Sequence, residues 1–210
     1  MKNYKPKNEK DEHKEFVLEA LLEGYRHILK RRFRPDSFSL YAKPCYDASL
    51  KIASQISYTE EDINRFCNQL NDSKNPDIQG IYITALAENI LREYKKVTIR
   101  INKPVDFLGF MHHERTLIIE GVAGDYTGCK MEGGIIKVFG NSGYWTGNKM
   151  HDGKIEVYGD AGLATGERMS GGKIMIKGKM EGLGNIFHGE VWLTGKKLRL
   201  KYFWDPTHPY

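Results

Sequence analysis

Glycine-rich segments are the first residues whose types and spacing could carry chemistry. The segment GVAGDYTGCKMEGG, Gly121 to Gly134, holds five glycines after an apolar run, and a glycine loop between a strand and a helix can cradle a phosphate. Such a site would need GxGxxG, or GxxxxGK followed by Ser or Thr, at the start of a helix, and the sequence has neither. The segment EGLGNIF has Gly182 and Gly184 but lacks the third glycine of the GxGxxG motif. We therefore interpret the glycines as structural.

Histidines and cysteines are the other candidate ligands. His112 and His113 are adjacent, whereas His151 and His188 are scattered along the chain. A zinc or iron site needs three or four convergent ligands, so we expect no metal site and interpret these as surface or cap histidines. The cysteines lack CxxC spacing and are predicted to be reduced, buried thiols; they are Cys45, Cys67 and Cys129.

Charge and hydropathy exclude several classes of partner. The 210 residues carry a net charge of +5, but both signs are mixed, and the basic cluster KRRFRP, Lys30 to Pro35, is typical of a solvated helix end. We therefore do not expect nucleic acid as a partner. No apolar run approaches the roughly 20 residues that a membrane span needs. The N-terminus also lacks a signal-peptide pattern, so the expected location is cytoplasmic.

The first 96 residues are predicted to be helical. Only Gly24 and Gly80 of the 22 glycines lie there. FVLEALLEGYRHIL has apolar residues at helical spacing, TEEDINRFCNQL begins with Thr59 as an N-cap, and IYITALAENILREY repeats apolar positions. A shorter helix is predicted near Asp47 to Ile56. The apolar face predicted for the first helix consists of Phe16, Val17, Ala20, Leu21, Ile28 and Leu29.

From Val97 onward the pattern changes to short alternating strands that each end in glycine. TLIIEG, IIKVFG, KIEVYG and KIMIKG follow one another at a constant spacing of 19 residues. Met131, Met150 and Met169 repeat at this spacing, as do Thr127, Thr146 and Thr165. Three sets of glycines do the same: Gly121, Gly140, Gly159 and Gly178; Gly124, Gly143 and Gly162; and Gly128, Gly147 and Gly166.

A 19-residue period suits one coil of a β-solenoid, in which successive coils stack about 4.8 Å apart. Equivalent residues of successive coils then form columns. Two apolar columns should face inward, with methionine as a flexible filler, threonines in a ladder of contacts between coils, and glycine at corners that require positive φ. The inward columns are Leu117, Ile136, Ile155 and Ile174, and Ile119, Val138, Val157 and Ile176.

The solenoid is predicted to extend in both directions. VTIRIN would begin an earlier coil with Ile99 and Ile101 inward, and EVWLTG would end a shorter one, with His188 in place of the repeated methionine. His151 and His188 are separated by neither 19 nor 38 residues and so are not expected to share a column. We predict an α+β protein: a helical region, 1–96, followed by a right-handed single-stranded β-helix with a C-terminal cap, 97–210.

The repeat from Gly121 to Gly178, with GNSGYWTGNKMHDG and GDAGLATGERMSGG as its later corners, resembles the GXGXG β-helix repeat. That repeat forms the C-terminal domain of the glutamate synthase large subunit and also a subunit of formylmethanofuran dehydrogenase, to which this sequence is more similar. The resemblance covers about residues 97–195. It implies no catalytic residues in this chain and a docking role among protein subunits, with any metal-pterin, iron–sulfur or flavin group on the partner chains.

Two alternatives stay open. One is a detached glutamate-synthase-type domain that braces amidotransferase and flavin chains; the other is a free-standing β-solenoid enzyme or binding module. The column Ile118, Lys137, Glu156 and Met175 lacks the clustered acids and arginines of a polysaccharide lyase. Aromatic residues on the surface would mark an interface, and the candidates are Tyr126, Phe139, Trp145 and Tyr158.

Overall fold

The computed structural model describes residues 9–31, 38–70 and 75–198. Four helices come first: α1 (Glu9–Lys30), α2 (Phe38–Ala53), α3 (Glu60–Gln69) and α4 (Pro76–Leu91). Strands follow: β1 (Lys96–Arg100), β2 (Thr116–Glu120), β3 (Ile135–Phe139), β4 (Lys154–Val157), β5 (Ser170–Ile176), β6 (His188–Leu193) and β7 (Lys196–Lys197). This order confirms the predicted α+β class, with helices first and a β-solenoid second.

The three main helices form where the sequence predicts them. In α3, Thr59 is the N-cap, and a capping box joins its side chain to Asp62. In α1 the predicted apolar face is partly wrong. Phe16 is 73% exposed and Leu29 also faces solvent, whereas Gly24 and Tyr25 join the buried side. The buried stripe is rotated because Tyr25 packs against Tyr82 of α4 and Phe66 of α3.

Two helices differ from the prediction in extent or environment. The second helix begins at Phe38 and ends at Ala53, with Pro44 inside it. It is therefore longer than the predicted Asp47 to Ile56 and lies earlier in the chain. Helix α4 is buried nearly all round, from Gln79 to Glu88, which is the pattern of a helix enclosed by other elements rather than one at the surface.

The strands β1 to β6 stack in sequence order as parallel neighbours, so six strands enclose about five turns, whereas the sequence predicts about six coils. Between β2 and β5 the register advances by 19 residues per coil, which pairs Leu117 with Ile136, Ile136 with Ile155, and Ile155 with Ile174. Both predicted inward columns are buried, and so are Met131, Met150 and Met169. The 19-residue solenoid is therefore confirmed.

The first and last coils depart from the period. Val97 pairs with Leu117 and Ile99 with Ile119, so Val97 and Ile99, rather than Ile99 and Ile101, continue the two inward columns. Ile101 follows the strand and is also buried. The first coil is therefore one residue longer than the 19-residue coils between β2 and β5. Between β5 and β6 a register shift shortens the coil, and Ile174 pairs with Val191.

The glycine columns have two physical causes rather than the single one predicted. Positive φ occurs throughout one column, at Gly128 (68°), Gly147 (72°) and Gly166 (76°). In the other two columns only Gly121 has positive φ. There the cause is close approach, since a Cβ at Gly140 would collide with the carbonyl oxygen of Gly121 in the preceding coil. The same holds for Gly124, Gly143, Gly159, Gly162 and Gly178, whose Cβ would collide with the coil before.

Beside the backbone pairing, the side-chain hydrogen bonds between coils come from acidic and amide groups rather than from the threonines. Each threonine hydroxyl donates to a carbonyl three residues earlier in its own coil, as Thr127 does to Gly124 at 3.0 Å. The threonine hydroxyls therefore make no hydrogen bonds between coils in the described residues, and a ladder of other threonine contacts stays a prediction. Instead, Asp106 Oδ1 accepts the N–H of Asp125, whose own Oδ1 accepts the N–H of Tyr144, both at 2.8 Å.

Helices α3 and α4 cover the first coil of the solenoid. Strand β1 has no preceding coil, so its backbone groups are met by α3: Glu60 accepts the N–H of Thr98, and Asn64 accepts that of Arg100 and donates to the Thr98 carbonyl. On α4, Thr84 Oγ1 accepts the N–H of Gly109 at 2.9 Å. One hydrophobic core runs from the helices into the coils, and the division into domains at 96/97 stays a prediction.

Candidate docking surface

Each coil bends after its strand and continues as a second short segment. Gly140 makes this bend in the coil of β3, and parallel bridges join Ser142 to Ala161 and Ala161 to Met180. Ser142 and Ala161 are buried, so the residues on either side of them in sequence form an outer surface. We call this surface the corner face; it consists of residues 141–144, 160–163 and 179–182.

Phe139 and Tyr158 lie beside the corner face, at the ends of their strands. Their rings are stacked, with centroids 4.5 Å apart and planes 18° from parallel. Both are substantially exposed, at 47% and 42%. They lie in one column because a 19-residue step brings each to the same place on successive coils. A surface aromatic pair of this kind is typical of an interface anchor.

Tyr126 and Trp145 form part of a second aromatic stack, at the far corner of the coil. Tyr126 stacks between Phe107, at 4.5 Å, and Trp145, at 4.8 Å. Both have positive φ, 58° and 55°, without being glycine. Phe107 is buried and the other two are half-buried, so this stack mainly supports the corner. The four aromatic candidates therefore divide into one exposed pair and one largely structural pair.

A groove with a volume of about 510 Å³ lies on the corner face, lined by residues 141–144, 160–162 and 179–181. Gly143 and Gly162 contribute only backbone to this lining, and the Tyr144 ring lies against Gly162. One wall is Tyr144, which is 43% exposed; Leu163, at 50%, is next in the same column but lies outside the lining residues. Neither Tyr144 nor Leu163 was among the interface residues predicted from the sequence, although two apolar residues 19 apart at an outward position were a usable signal.

A polar column forms the opposite wall of the groove. Asn141 Oδ1 accepts the N–H of Asp160 at 2.9 Å, and Asp160 Oδ1 accepts the N–H of Lys179 at 2.7 Å. These bonds fix the two side chains against the backbone of the next coil.

Charges on the outer face of the sheet are paired. Lys154 donates to Glu156, and Lys137 lies 3.7 Å from the same carboxylate. Burial raises the pKa of Glu156, but the hydrogen bond from Lys154 and the nearby lysine charges outweigh burial and hold it below its usual range. Hydrogen bonds from Lys197 and Trp192 lower the pKa of Glu190 to about 2. Because a general acid needs a raised pKa, neither Glu156 nor Glu190 is suited to that role.

The adjacent histidines meet a buried carboxylate at the junction of helix and solenoid. Glu88 Oε1 of α4 lies 2.5 Å from His112 Nδ1, and Glu88 Oε2 lies 3.3 Å from His113 Nδ1. His112 is fully buried, so of the predicted surface or cap positions it does not occupy a surface one, whereas His113 is exposed. Within the described residues His112 Nε2 has no hydrogen-bond partner. No pattern in the sequence connects Glu88 with His112.

The other two histidines share a column, contrary to the expectation. His151 Nδ1 lies 3.0 Å from Ser170 Oγ, 19 residues on, and Ser170 pairs with His188 across the register shift. The shortened coil moves His188 from the methionine position to the serine position. All three residues are exposed.

The three cysteines are free and buried, as predicted. Burial raises the pKa of Cys45, Cys67 and Cys129 to about 12, so these thiols are protonated at neutral pH and are poor nucleophiles. Across the described ranges, no three His, Cys, Asp or Glu side chains converge as metal ligands.

Within the same ranges, no helix is both long and apolar enough to cross a membrane. Comparisons with protein-family models, with curated proteins and with solved structures give no match to this chain.

Proposed function

We propose that this chain is a non-catalytic docking subunit of a multi-subunit redox complex, similar to the GXGXG-repeat subunit of formylmethanofuran dehydrogenase. The partner would be another protein subunit, and a metal-pterin, iron–sulfur or flavin group would belong to that partner. The GXGXG-like repeat supports the comparison with this class of subunit. The observation that carries a docking role is the pair of exposed columns, Phe139 with Tyr158 and Tyr144 with Leu163.

The two columns have the properties of an anchor site. They lie on either side of the polar column that begins with Asn141, so one partner surface can contact both. Burying an aromatic or leucine side chain contributes about 1.5–3 kcal/mol, and interface energy is concentrated in a few such residues. The coils hold these side chains on hydrogen-bonded backbone, which lowers the entropy cost of association.

Native co-purification tests this proposal. The tagged chain would be expressed in its own host and isolated at low salt, and the complex analysed by mass spectrometry, absorbance and metal content. We expect a partner polypeptide with a bound redox group. A metal-pterin would indicate the formylmethanofuran-type assembly, and a flavin with an amidotransferase chain would indicate the glutamate-synthase type. Elution of the chain alone as a 24.1 kDa particle would overturn the proposal.

A matched pair of variants locates the contact. The double variant Phe139→Glu with Tyr158→Lys replaces each aromatic residue by the residue that the same column holds one coil away, Glu120 or Lys177. The fold should therefore tolerate it, and partner recovery should fall at least about tenfold. Tyr94→Ser removes an exposed tyrosine away from this surface and should leave recovery unchanged. Full recovery with the double variant would exclude Phe139 and Tyr158 as the docking contact.

A further inference from the structure

The groove on the corner face has a defined shape and an unequal distribution of charge. Gly143 and Gly162 contribute only backbone to its lining, the Tyr144 ring lies against Gly162, and Glu181 takes the next place in the glycine column. Its volume of about 510 Å³ is in the range of small-molecule sites, so it is large enough for one side chain. A side chain from a partner can therefore enter between the two walls.

Two carboxylates line this groove. Asp160 uses Oδ1 to accept the N–H of Lys179, and within the described residues Oδ2 has no hydrogen bond. Glu181 is exposed and has no ion pair in the described part of the chain. Lys179 is the single cation among the lining residues, so the lining carries a net charge of −1, while the whole chain carries +5. The groove is locally acidic on a basic protein and favours a cation.

The wall formed by Tyr144 favours a guanidinium group over an ammonium group. Tyr144 presents an exposed ring, held edge to face against Trp145 with centroids 5.8 Å apart, and the exposed Leu163 follows it in the same column, just outside the lining residues. A guanidinium group stacks on aromatic rings and binds carboxylates through a planar fork of donors. An ammonium group is a more strongly hydrated point charge and gains less from such a wall.

We infer that this groove binds an arginine side chain of the docking partner, with the guanidinium beside Tyr144 and its donors toward Asp160 and Glu181. The inference rests on the proposed docking function and names the chemistry that this face recognises. Lys179 opposes the incoming charge, but its long side chain can turn toward solvent.

Peptide titration of the full chain tests the inference without the partner. The probe is acetyl-Gly-Leu-Arg-Leu-Gly-amide, followed by amide NMR shifts at Gly143 and Gly162. The matched control peptide has citrulline in place of arginine, which keeps the shape and removes the charge. We expect a dissociation constant of about 1 mM for the arginine peptide and binding at least about fivefold weaker for the citrulline peptide. Equal affinities, or no shifts at these glycines, would overturn the inference.

Variants that introduce the residue found at the equivalent position of a neighbouring coil should keep the fold intact. Asp160→Asn places there the amide that Asn141 supplies in the same column, and Tyr144→Leu copies Leu163. Asp160→Asn combined with Glu181→Gln should weaken the arginine peptide about fivefold or more, and Tyr144→Leu about threefold. Lys179→Asn should strengthen binding about twofold. Unchanged affinity in the double carboxylate variant, with an unaltered NMR spectrum elsewhere, would contradict the assignment.

The peptide experiment and the co-purification experiment test separate claims, so either one can fail without the other. If a partner co-purifies and depends on Phe139 and Tyr158, but the arginine peptide does not bind, docking stands and the arginine site falls. If the peptide binds but no partner co-purifies, the groove is an arginine site and the subunit proposal falls.

Discussion

The backbone N–H and C=O groups find their hydrogen-bond partners in different ways in the regular coils and at the junction with the helices. Between β2 and β5 each strand pairs with an equivalent strand 19 residues away, so the same residue types serve every coil. At the junction there is no preceding coil, and β1 is met by Glu60 and Asn64 of α3. A repeat can cover itself internally, but its end needs a cap of a different sequence.

The two regions also differ in what they bury. The coil interior holds mainly isoleucine, valine, methionine and threonine, with Ser142 among the few other polar residues. The junction buries Thr84, Glu88 and His112. Buried polar groups stabilise only when they are paired, so the junction should be the more sensitive region to a single lost partner.

Thiol reactivity tests whether the two regions open together. Cys45 and Cys67 lie in the helices and Cys129 lies in a coil, and burial raises the pKa of each to about 12 from 9.0. At pH 8 each thiol should react about a thousandfold more slowly than in the unfolded chain, since the thiolate is the reactive form. Because one core joins the regions, all three should become reactive over the same range of urea, measured by mass spectrometry. Separate ranges would show independent opening.

Removing Glu88 should damage the junction most. Glu88→Ala leaves His112 buried without the carboxylate beside Nδ1, and loss of one partner of a buried pair costs about 3–5 kcal/mol. The free energy of unfolding, measured in urea, should fall by about 4 kcal/mol. Glu93→Ala, an exposed glutamate just beyond the same helix, should change it by less than about 0.5 kcal/mol. Similar losses in the two variants would refute the special role of the junction.

A glycine substitution should damage the coils less. In Gly140→Val the new Cβ collides with the carbonyl oxygen of Gly121, so two coils must separate, and we expect a loss of about 2–3 kcal/mol in the free energy of unfolding. The control is Gly182→Val, where a Cβ meets only the end of the flexible Leu163 side chain, at 3.1 Å, and the loss should be under about 1 kcal/mol. Equal losses in thermal or urea unfolding would count against close approach as the cause.

The smallest expected effect is a gain in stability. Ser142 lies in a column with Ala123 and Ala161, and its buried hydroxyl has no hydrogen-bond partner within the described residues. Ser142→Ala should raise the free energy of unfolding by about 1 kcal/mol. The reverse change one coil later, Ala161→Ser, should lower it by a similar amount. A loss of stability in Ser142→Ala would indicate that the hydroxyl is paired.

Much of the solenoid could be predicted because its contacts join residues at a fixed sequence separation. The inward columns, the buried methionines and the glycine corners all follow from one period. The cause of the glycines could not be assigned completely, because positive φ and close approach both require glycine and the sequence does not distinguish them. The first coil was predicted with the wrong register because Val97, Ile99 and Ile101 are all apolar, and only pairing with β2 selects between them.

The 19-residue coil, its buried side and the helical nature of the first region all followed from the sequence alone. What those helices do emerges only from the folded chain: α3 covers the edge of β1, and α4 brings Glu88 to His112. The fold also places Ser170 between His151 and His188, and it forms the groove beside Tyr144. The physical reason is that a repeated contact leaves a period in the sequence, whereas a contact made once, between distant segments, leaves none.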